Sequence, residues 1–278
     1  MSQYLKKQKS VAVINDMSGL GRCSLTAALP IISALKVKCC PFPTAILSNQ
    51  TGYESFYSVD FTPHMKKYAE EWTKRNIHFD CIMSGFLNNA EQIQIVGKLF
   101  DRFKTEDTKI IVDPVAGDDG KLYSGFKNDM VEEFKKLISR ADVITPNITE
   151  ACLLTDTKYD ENAFKNYEKI KNIGFTLMDM GAKNVIITGI SRGKYIDNCC
   201  FEKNEEPYII SSEKYSCSRS GTGDVFVSII TAETAKNVDL KKAVTKAANF
   251  IYKSAKLASD LDVAPEDGIC FEEYLCEL

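Results

Sequence analysis

Short apolar runs alternate with segments of helical periodicity along nearly the whole chain, and this alternation restricts the fold more than any single motif. Val11-Ala12-Val13-Ile14 reads as a buried strand ended by Asn15 and Asp16. A helical pattern follows, with Leu25, Ala28, Leu29, Ile32 and Leu35 on one face and Pro30 placed to kink it. Further strands are expected at Val37 to Phe42, Phe79 to Met83, Lys109 to Val112, Asp142 to Thr145 and Val185 to Thr188. Helices are expected near 63–76, 89–103, 126–139, 148–154, 161–180, 223–234 and 239–258, and a hairpin with strands near 195–201 and 207–211. Repeated strand–helix units predict an α/β fold, a mostly parallel central sheet with helices on both faces. No repeat or Pro-, Gly- or Ser-rich linker divides the 278 residues, so one domain over 1–278 is expected, with 1–9 as a flexible tail.

In an open parallel sheet, ligands bind outside the carboxyl ends of the strands. Those ends carry Asn15 and Asp16, Ser84 and Gly85, Asp113, Thr145 and Asn147, and Thr188 and Gly189. Five strands ending this way point to one shared crevice. Asp113, Asn147 and Glu150 suit a hard cation such as Mg²⁺. Asn147 and Glu150, three apart at a helix start, equally suit a capping box.

Ser220-Gly221-Thr222-Gly223-Asp224 stands where a loop turns into the apolar helix beginning Val225-Phe226. A helix start offers unpaired N–H groups and the positive end of the dipole, and so binds anions. Asp224 is a poor phosphate ligand, but it can take a proton from a group that attacks a phosphate. A plain capped helix start is the competing interpretation.

Composition narrows the classes. The 35 basic and 38 acidic residues give a net charge of −3, so no basic face for nucleic acid is expected. Ten cysteines occur without a C-x-x-C, and His64 and His78 lie far from a second ligand pair, which speaks against zinc or a disulfide scaffold. The start, Met-Ser-Gln-Tyr-Leu-Lys-Lys, lacks the apolar region of a signal peptide, and no run approaches the roughly 18 apolar residues of a membrane span. A cytoplasmic protein with no membrane partner is expected.

Rival motifs fall short. Gly19-Leu20-Gly21-Arg22-Cys23-Ser24 nearly matches the dinucleotide fingerprint, but its third glycine is replaced and no acid ends the next strand. No P-loop sequence is present. Gly189-Ile190-Ser191-Arg192-Gly193 matches the nucleophile elbow of hydrolases, yet a hairpin strand follows it and both histidines precede Ser191.

Taken in order, these segments resemble the ribokinase superfamily and, within it, the vitamin B6 (pyridoxal) kinases. The resemblance rests on Asn15-Asp16-Met17-Ser18-Gly19-Leu20-Gly21-Arg22, Ser48-Asn49-Gln50-Thr51-Gly52-Tyr53, Asp113-Pro114-Val115-Ala116-Gly117-Asp118, Thr145-Pro146-Asn147-Ile148-Thr149-Glu150 and Gly221-Thr222-Gly223-Asp224. It implies a ribokinase-like fold and ATP-dependent phosphorylation of the 5′-hydroxymethyl group of pyridoxal, pyridoxine or pyridoxamine. On that resemblance Asp224 is the catalytic base, and the backbone of Gly221, Thr222 and Gly223 is an anion hole. Thr145, Asn147 and Thr188 would line ATP, with Asp113 and Glu150 organising Mg²⁺ largely through water. Asp16, Thr51 and Gly52 would meet the pyridine ring, residues 48–60 would act as a lid, and a homodimer is suggested.

Two departures matter. Many pyridoxal kinases carry Ser where this chain has Asp16, which leaves the preferred vitamer open. Asp16-Met17-Ser18-Gly19 is also similar to hydroxymethylpyrimidine kinases of thiamine synthesis, which usually place Cys where Asp224 stands. A hydroxymethylpyrimidine kinase, or a non-catalytic ligand-binding relative, is therefore the alternative.

Overall fold

A computed structural model describes residues 8–123, 125–215 and 217–278. Lys6 and Lys7 of the expected tail lie outside the described residues. Lys9, assigned to that tail, is instead anchored: its carbonyl accepts from Lys38 and its ammonium lies 2.7 Å from Asp80.

Nine strands form one sheet. In chain order they are β1 (Ser10–Leu20), β2 (Lys38–Asn49), β3 (Ser58–Asp60), β4 (Cys81–Ser84), β5 (Lys109–Val112), β8 (Val143–Ile144), β9 (Asn184–Arg192), β10 (Tyr195–Glu202) and β11 (Tyr208–Glu213). Between β5 and β8, β6 (Gly117–Asp118) and β7 (Lys121–Leu122) make a separate small hairpin. The sheet order is β11-β10-β9-β8-β5-β4-β1-β2-β3. Its six central strands, β2, β1, β4, β5, β8 and β9, run parallel, while β3, β10 and β11 pair antiparallel at the edges. The mostly parallel sheet expected from the sequence is present.

Side chains alternate across this sheet with period two. Ala12, Ile14, Ile110 and Val112 face one apolar cluster, packed by α2 (Thr62–Lys74), α3 (Ala90–Phe103), α4 (Asn128–Ile138), α5 (Ile148–Leu154) and α6 (Tyr167–Asp179). Val11, Val13 and Ile111 face the other, packed by α1 (Ser24–Ala34), α7 (Thr222–Ala235) and α8 (Leu240–Asp260). Helix α7 is buried almost all round because it lies between the sheet, α1 and α8. Glu233, 2 % exposed on α7, pairs with Lys246 of α8 at 2.6 Å and fixes that stack.

Three sequence expectations are corrected. The first strand does not end at Asn15 and Asp16 but runs on to Leu20, paired with β2 throughout, with a register shift between Asn15 and Met17. The 48–60 lid is in part sheet: β2 extends to Asn49, and β3 folds back against Ala45–Leu47. The helix expected over 161–180 is split into a 3₁₀ turn, Ala163–Lys165, and α6, whose start is capped by the Asn166 side chain.

Candidate active site

The chain leaves β1 to one side through β2 and β3, then returns to the other side of β1 through β4 and β5. The carboxyl ends of β1 and β4 therefore flank a topological switch point, where open α/β sheets bind ligands. Asn15 lies within β1, one residue past Ile14, the last residue of β1 paired with β4, on the same face as Val11 and Val13 and turned toward α7. Its Nδ2 donates to Asp224 Oδ1 at 2.9 Å, while its Oδ1 accepts from the Asp16 and Phe86 amides. Gly85 makes room for it, since a Cβ there would lie 2.6 Å from Asn15 Nδ2.

Asp224 stands in the first turn of α7. The residue before the helix, Gly221, takes φ +76°, and a Cβ on it would come within 1.9 Å of the Arg22 carbonyl oxygen. Only glycine suits that backbone. No side chain caps this helix start, and its first helical bond is Val225 N–H to the Gly221 carbonyl. The Gly221–Gly223 amides thus lie before the hydrogen-bonded ladder, and a Cβ on Gly223 would meet nothing within 4 Å. An open, positively polarised helix end stands directly beside a carboxylate.

Ser24 links two acids. It takes φ +52°, sparsely populated for a residue with a Cβ, and from there its amide lowers the Asp224 carboxyl and its side chain lowers that of Asp16. Asp16 is buried and also accepts from Ser18 Oγ at 2.9 Å. Burial, then the charge of Asp16, pushes the Asp224 carboxyl up to about 6. Burial likewise raises Asp16. Cys23, beside both acids, is buried, and its thiol is pushed up to about 12 chiefly by burial.

A second acidic group lies across the crevice. Asp113, 7 % exposed at the end of β5, accepts from Thr145 Oγ at 2.7 Å. Glu150, 4 % exposed, receives the Ala116 amide on one oxygen and the Asn147 amide on the other. Asn147 Oδ1 accepts the Glu150 amide in return, completing the capping box. Asn147 Nδ2 donates to the Gly117 carbonyl, tying α5 to the β6–β7 hairpin. Burial raises both acids; the Asp224 charge adds to Asp113 and the Asp113 charge to Glu150. Thr188, half-buried within β9, bridges in parallel to Asn147, which lies beyond the end of β8.

The structure thus brings Asp16 close to Asp224, and Asp113 close to Glu150, Thr145, Asn147 and Thr188. Thr51 and Gly52 lie in the exposed turn after β2, where the Gly52 amide bonds Gln50 Oε1. Sequence reasoning named Asn15 as a strand end without giving it a role; its place directly after an apolar run was the available signal. It missed Ser24, Gln50 and Arg219, whose partners are distant in sequence.

A family model described as phosphomethylpyrimidine kinase matches residues 23–268. The chain belongs to this family. Among solved structures, a Bacteroides thetaiotaomicron protein provisionally assigned as a phosphomethylpyrimidine kinase is 35% identical, with a TM-score of 0.94 over 99% of this chain and 96% of that one. A second crystal form of that protein carries pyridoxal. A Bacillus subtilis hydroxymethylpyrimidine/phosphomethylpyrimidine kinase is 30% identical over 185 residues, 64% of this chain and 64% of that one. A Schizosaccharomyces pombe protein provisionally named a pyridoxal kinase is 29% identical over 225 residues, 72% of this chain. The matched stretches span 64% and 60% of the lengths of these two curated relatives. The fold is ribokinase-like, shared by both branches of this kinase family. Among the described residues, no helix is long and apolar enough to cross a membrane.

Proposed function

We propose that this chain transfers the γ-phosphoryl group of ATP to the hydroxymethyl group of a vitamin B6 ring: pyridoxal, pyridoxamine or pyridoxine. The observation that carries the proposal is the Asp224 carboxylate, oriented by Asn15 at 2.9 Å, beside the open helix end of Gly221–Gly223. Asp224 takes the hydroxyl proton as the hydroxymethyl oxygen attacks the γ-phosphorus, and ADP leaves. A base titrating at about 6 is largely ionised at neutral pH yet basic enough to accept that proton. The Gly221, Thr222 and Gly223 amides point at the charge on the transferring group. Thr145, Asn147 and Thr188 line the triphosphate, and Asp16, Thr51 and Gly52 meet the ring.

The acidic residues suit a divalent cation. Among the described residues, no ion pair reaches Asp16, Asp113, Glu150 or Asp224. Nor does any group of three His, Cys, Asp or Glu stand ready to hold a metal directly. Both Glu150 oxygens are already engaged by backbone amides, so Asp113 and Glu150 would hold Mg²⁺ through water, with phosphate oxygens completing its shell. When bound, the ion neutralises phosphate charge.

Pyridoxal in the Bacteroides relative, and Asp224 where hydroxymethylpyrimidine kinases usually carry Cys, support the B6 substrate. The family description and the Bacillus relative favour a second reading, phosphorylation of hydroxymethylpyrimidine. A coupled ADP-release assay over the three vitamers and hydroxymethylpyrimidine, with and without Mg²⁺, separates them. Activity on none of the four ends the kinase proposal. Association as a homodimer belongs to the same proposal, and sedimentation velocity reads it directly.

A further inference from the structure

The segment after α8 touches the site from two directions. On one side, Arg219, 7 % exposed, donates through Nη1 to the Val263 carbonyl at 2.7 Å and reaches those of Ala264 and Gly268 at 3.4 and 3.5 Å. The Ser220 amide donates to the Pro265 carbonyl at 3.1 Å. Gly268 takes φ +83°, and a Cβ there would lie 2.9 Å from the Ser220 carbonyl oxygen. Residues 263–268 are therefore fastened to the stretch that leads into Gly221.

On the other side, Gln50 Nε2 donates to the Glu266 carbonyl at 3.0 Å, and the Tyr53 hydroxyl donates to the Asp267 carboxylate. Gln50 is 8 % exposed and fills space left by two glycines. A Cβ on Gly21 would lie 2.9 Å from its Cγ, and one on Gly52 would lie 2.8 Å from its Nε2. Its Oε1 accepts the Gly52 amide at 2.7 Å, so one buried amide side chain sets the turn and joins it to the strap. Arg22 adds a third tie, donating to the Asp267 carbonyl at 3.1 Å.

We propose that the strap 263–268 holds the Gln50–Tyr53 turn in register with the anion-hole loop, and that Gln50 and Tyr53 are positioning residues for the ring substrate, acting through Thr51 and Gly52. This rests on the reading above, in which Thr51 and Gly52 meet the ring. The Tyr53–Asp267 contact is the releasable part. Gln50 is buried and would cost two satisfied partners if it moved, whereas Tyr53 is half-buried and needs only a side-chain rotation to let go. Release loosens residues 51–54, with Ser55 and Tyr57 still tied to Asn49 and Ser48, while Arg219 and Ser220 keep the strap on the phosphate side. Ring entry and phosphate positioning are thus served by interleaved residues of one short segment, Glu266 and Asp267 for the turn and Val263–Pro265 with Gly268 for the anion-hole loop.

The test compares Tyr53→Phe, Asp267→Ala and the double variant with the unsubstituted protein. In the ligand-free state, each change is expected to speed hydrogen exchange of amides 51–54. The KM for the hydroxymethyl ring substrate is expected to rise about tenfold, with kcat and the KM for ATP held within about twofold. The double variant should be no worse than the poorer single one, because both remove the same contact. Unchanged exchange in 51–54 would show that the strap does not hold the turn. Faster exchange with an unchanged ring KM, or an equal rise in both KM values, would overturn the positioning role. Absence of turnover by the unsubstituted protein would instead end the kinase reading, and exchange would still decide whether the strap holds the turn.

Discussion

Asn15 and Asp224, separated by 209 positions in the chain, are joined by a side-chain hydrogen bond of 2.9 Å. The bond lowers the Asp224 carboxyl against the rise that burial imposes. Asn15→Asp keeps an oxygen for the Asp16 and Phe86 amides but replaces the donor with a second acid. Two carboxyls at that distance share one proton, so the Asp224 titration should move upward. The acid limb of kcat/KM is expected to shift up by at least about one pH unit, read from a pH–rate profile. An unmoved limb would remove Asp224 from the proton transfer.

Gly221 and Gly223 should respond differently to a methyl group. Gly221→Ala places a Cβ 1.9 Å from a backbone oxygen at a positive φ, so the loop must rearrange. Soluble yield and thermal midpoint should both drop. Gly223→Ala meets nothing within 4 Å, so folding should be nearly unaffected. Its methyl nevertheless projects beside the anion-hole amides, and kcat should fall about tenfold or more. Full activity of folded Gly223→Ala would place the phosphate elsewhere.

The raised acids also set a pH dependence of stability. Asp113 and Asp224 hold protons in the folded chain at pH values where the unfolded chain has released them. Their contribution is full below the ordinary carboxylate range, about pH 4. It is lost as pH rises through the folded values, about 6 for Asp224. Asp113→Asn keeps an acceptor for Thr145 and removes the buried charge. In the ligand-free state this variant should melt at a higher temperature than the unsubstituted protein at pH 8, with little difference at pH 4. Lower stability at pH 8 would contradict the assignment. Turnover should fall in the same variant.

Much of this arrangement was legible in the sequence where local pattern and tertiary demand agree. Lys109–Val112 is a strand whose three apolar residues, Ile110–Val112, lie between Lys109 and Asp113, and Ile148–Leu154 has a capping box at its start; both occur as expected. The capping and cation interpretations of Asn147 and Glu150 were both open, and the structure contains the capping box. Strand β2, expected only over Val37 to Phe42, runs on to Asn49 through Pro43 and pairs along β1 in the central part of the sheet. Its partner β3 is three exposed residues with a single apolar one, Val59, held by pairing and by the Asp60 side chain, which accepts from Gln92 and Thr62. Asn15 and Asp224 were each visible, but their bond is not, because nothing in a linear pattern reports contact across 209 residues. Residues 263–268 gave no signal at all: their ties to Arg219 and Gln50 run mostly through backbone carbonyls, which are the same for every residue type.

The most direct test is kcat of Asp224→Asn against the unsubstituted protein, with MgATP and the preferred hydroxymethyl ring at saturation. The amide keeps the shape of the side chain but cannot take the proton. The account predicts a fall in kcat of at least about a hundredfold with both ligands still bound. Turnover within a few-fold of the unsubstituted protein would show that the carboxylate beside Gly221–Gly223 is not the base.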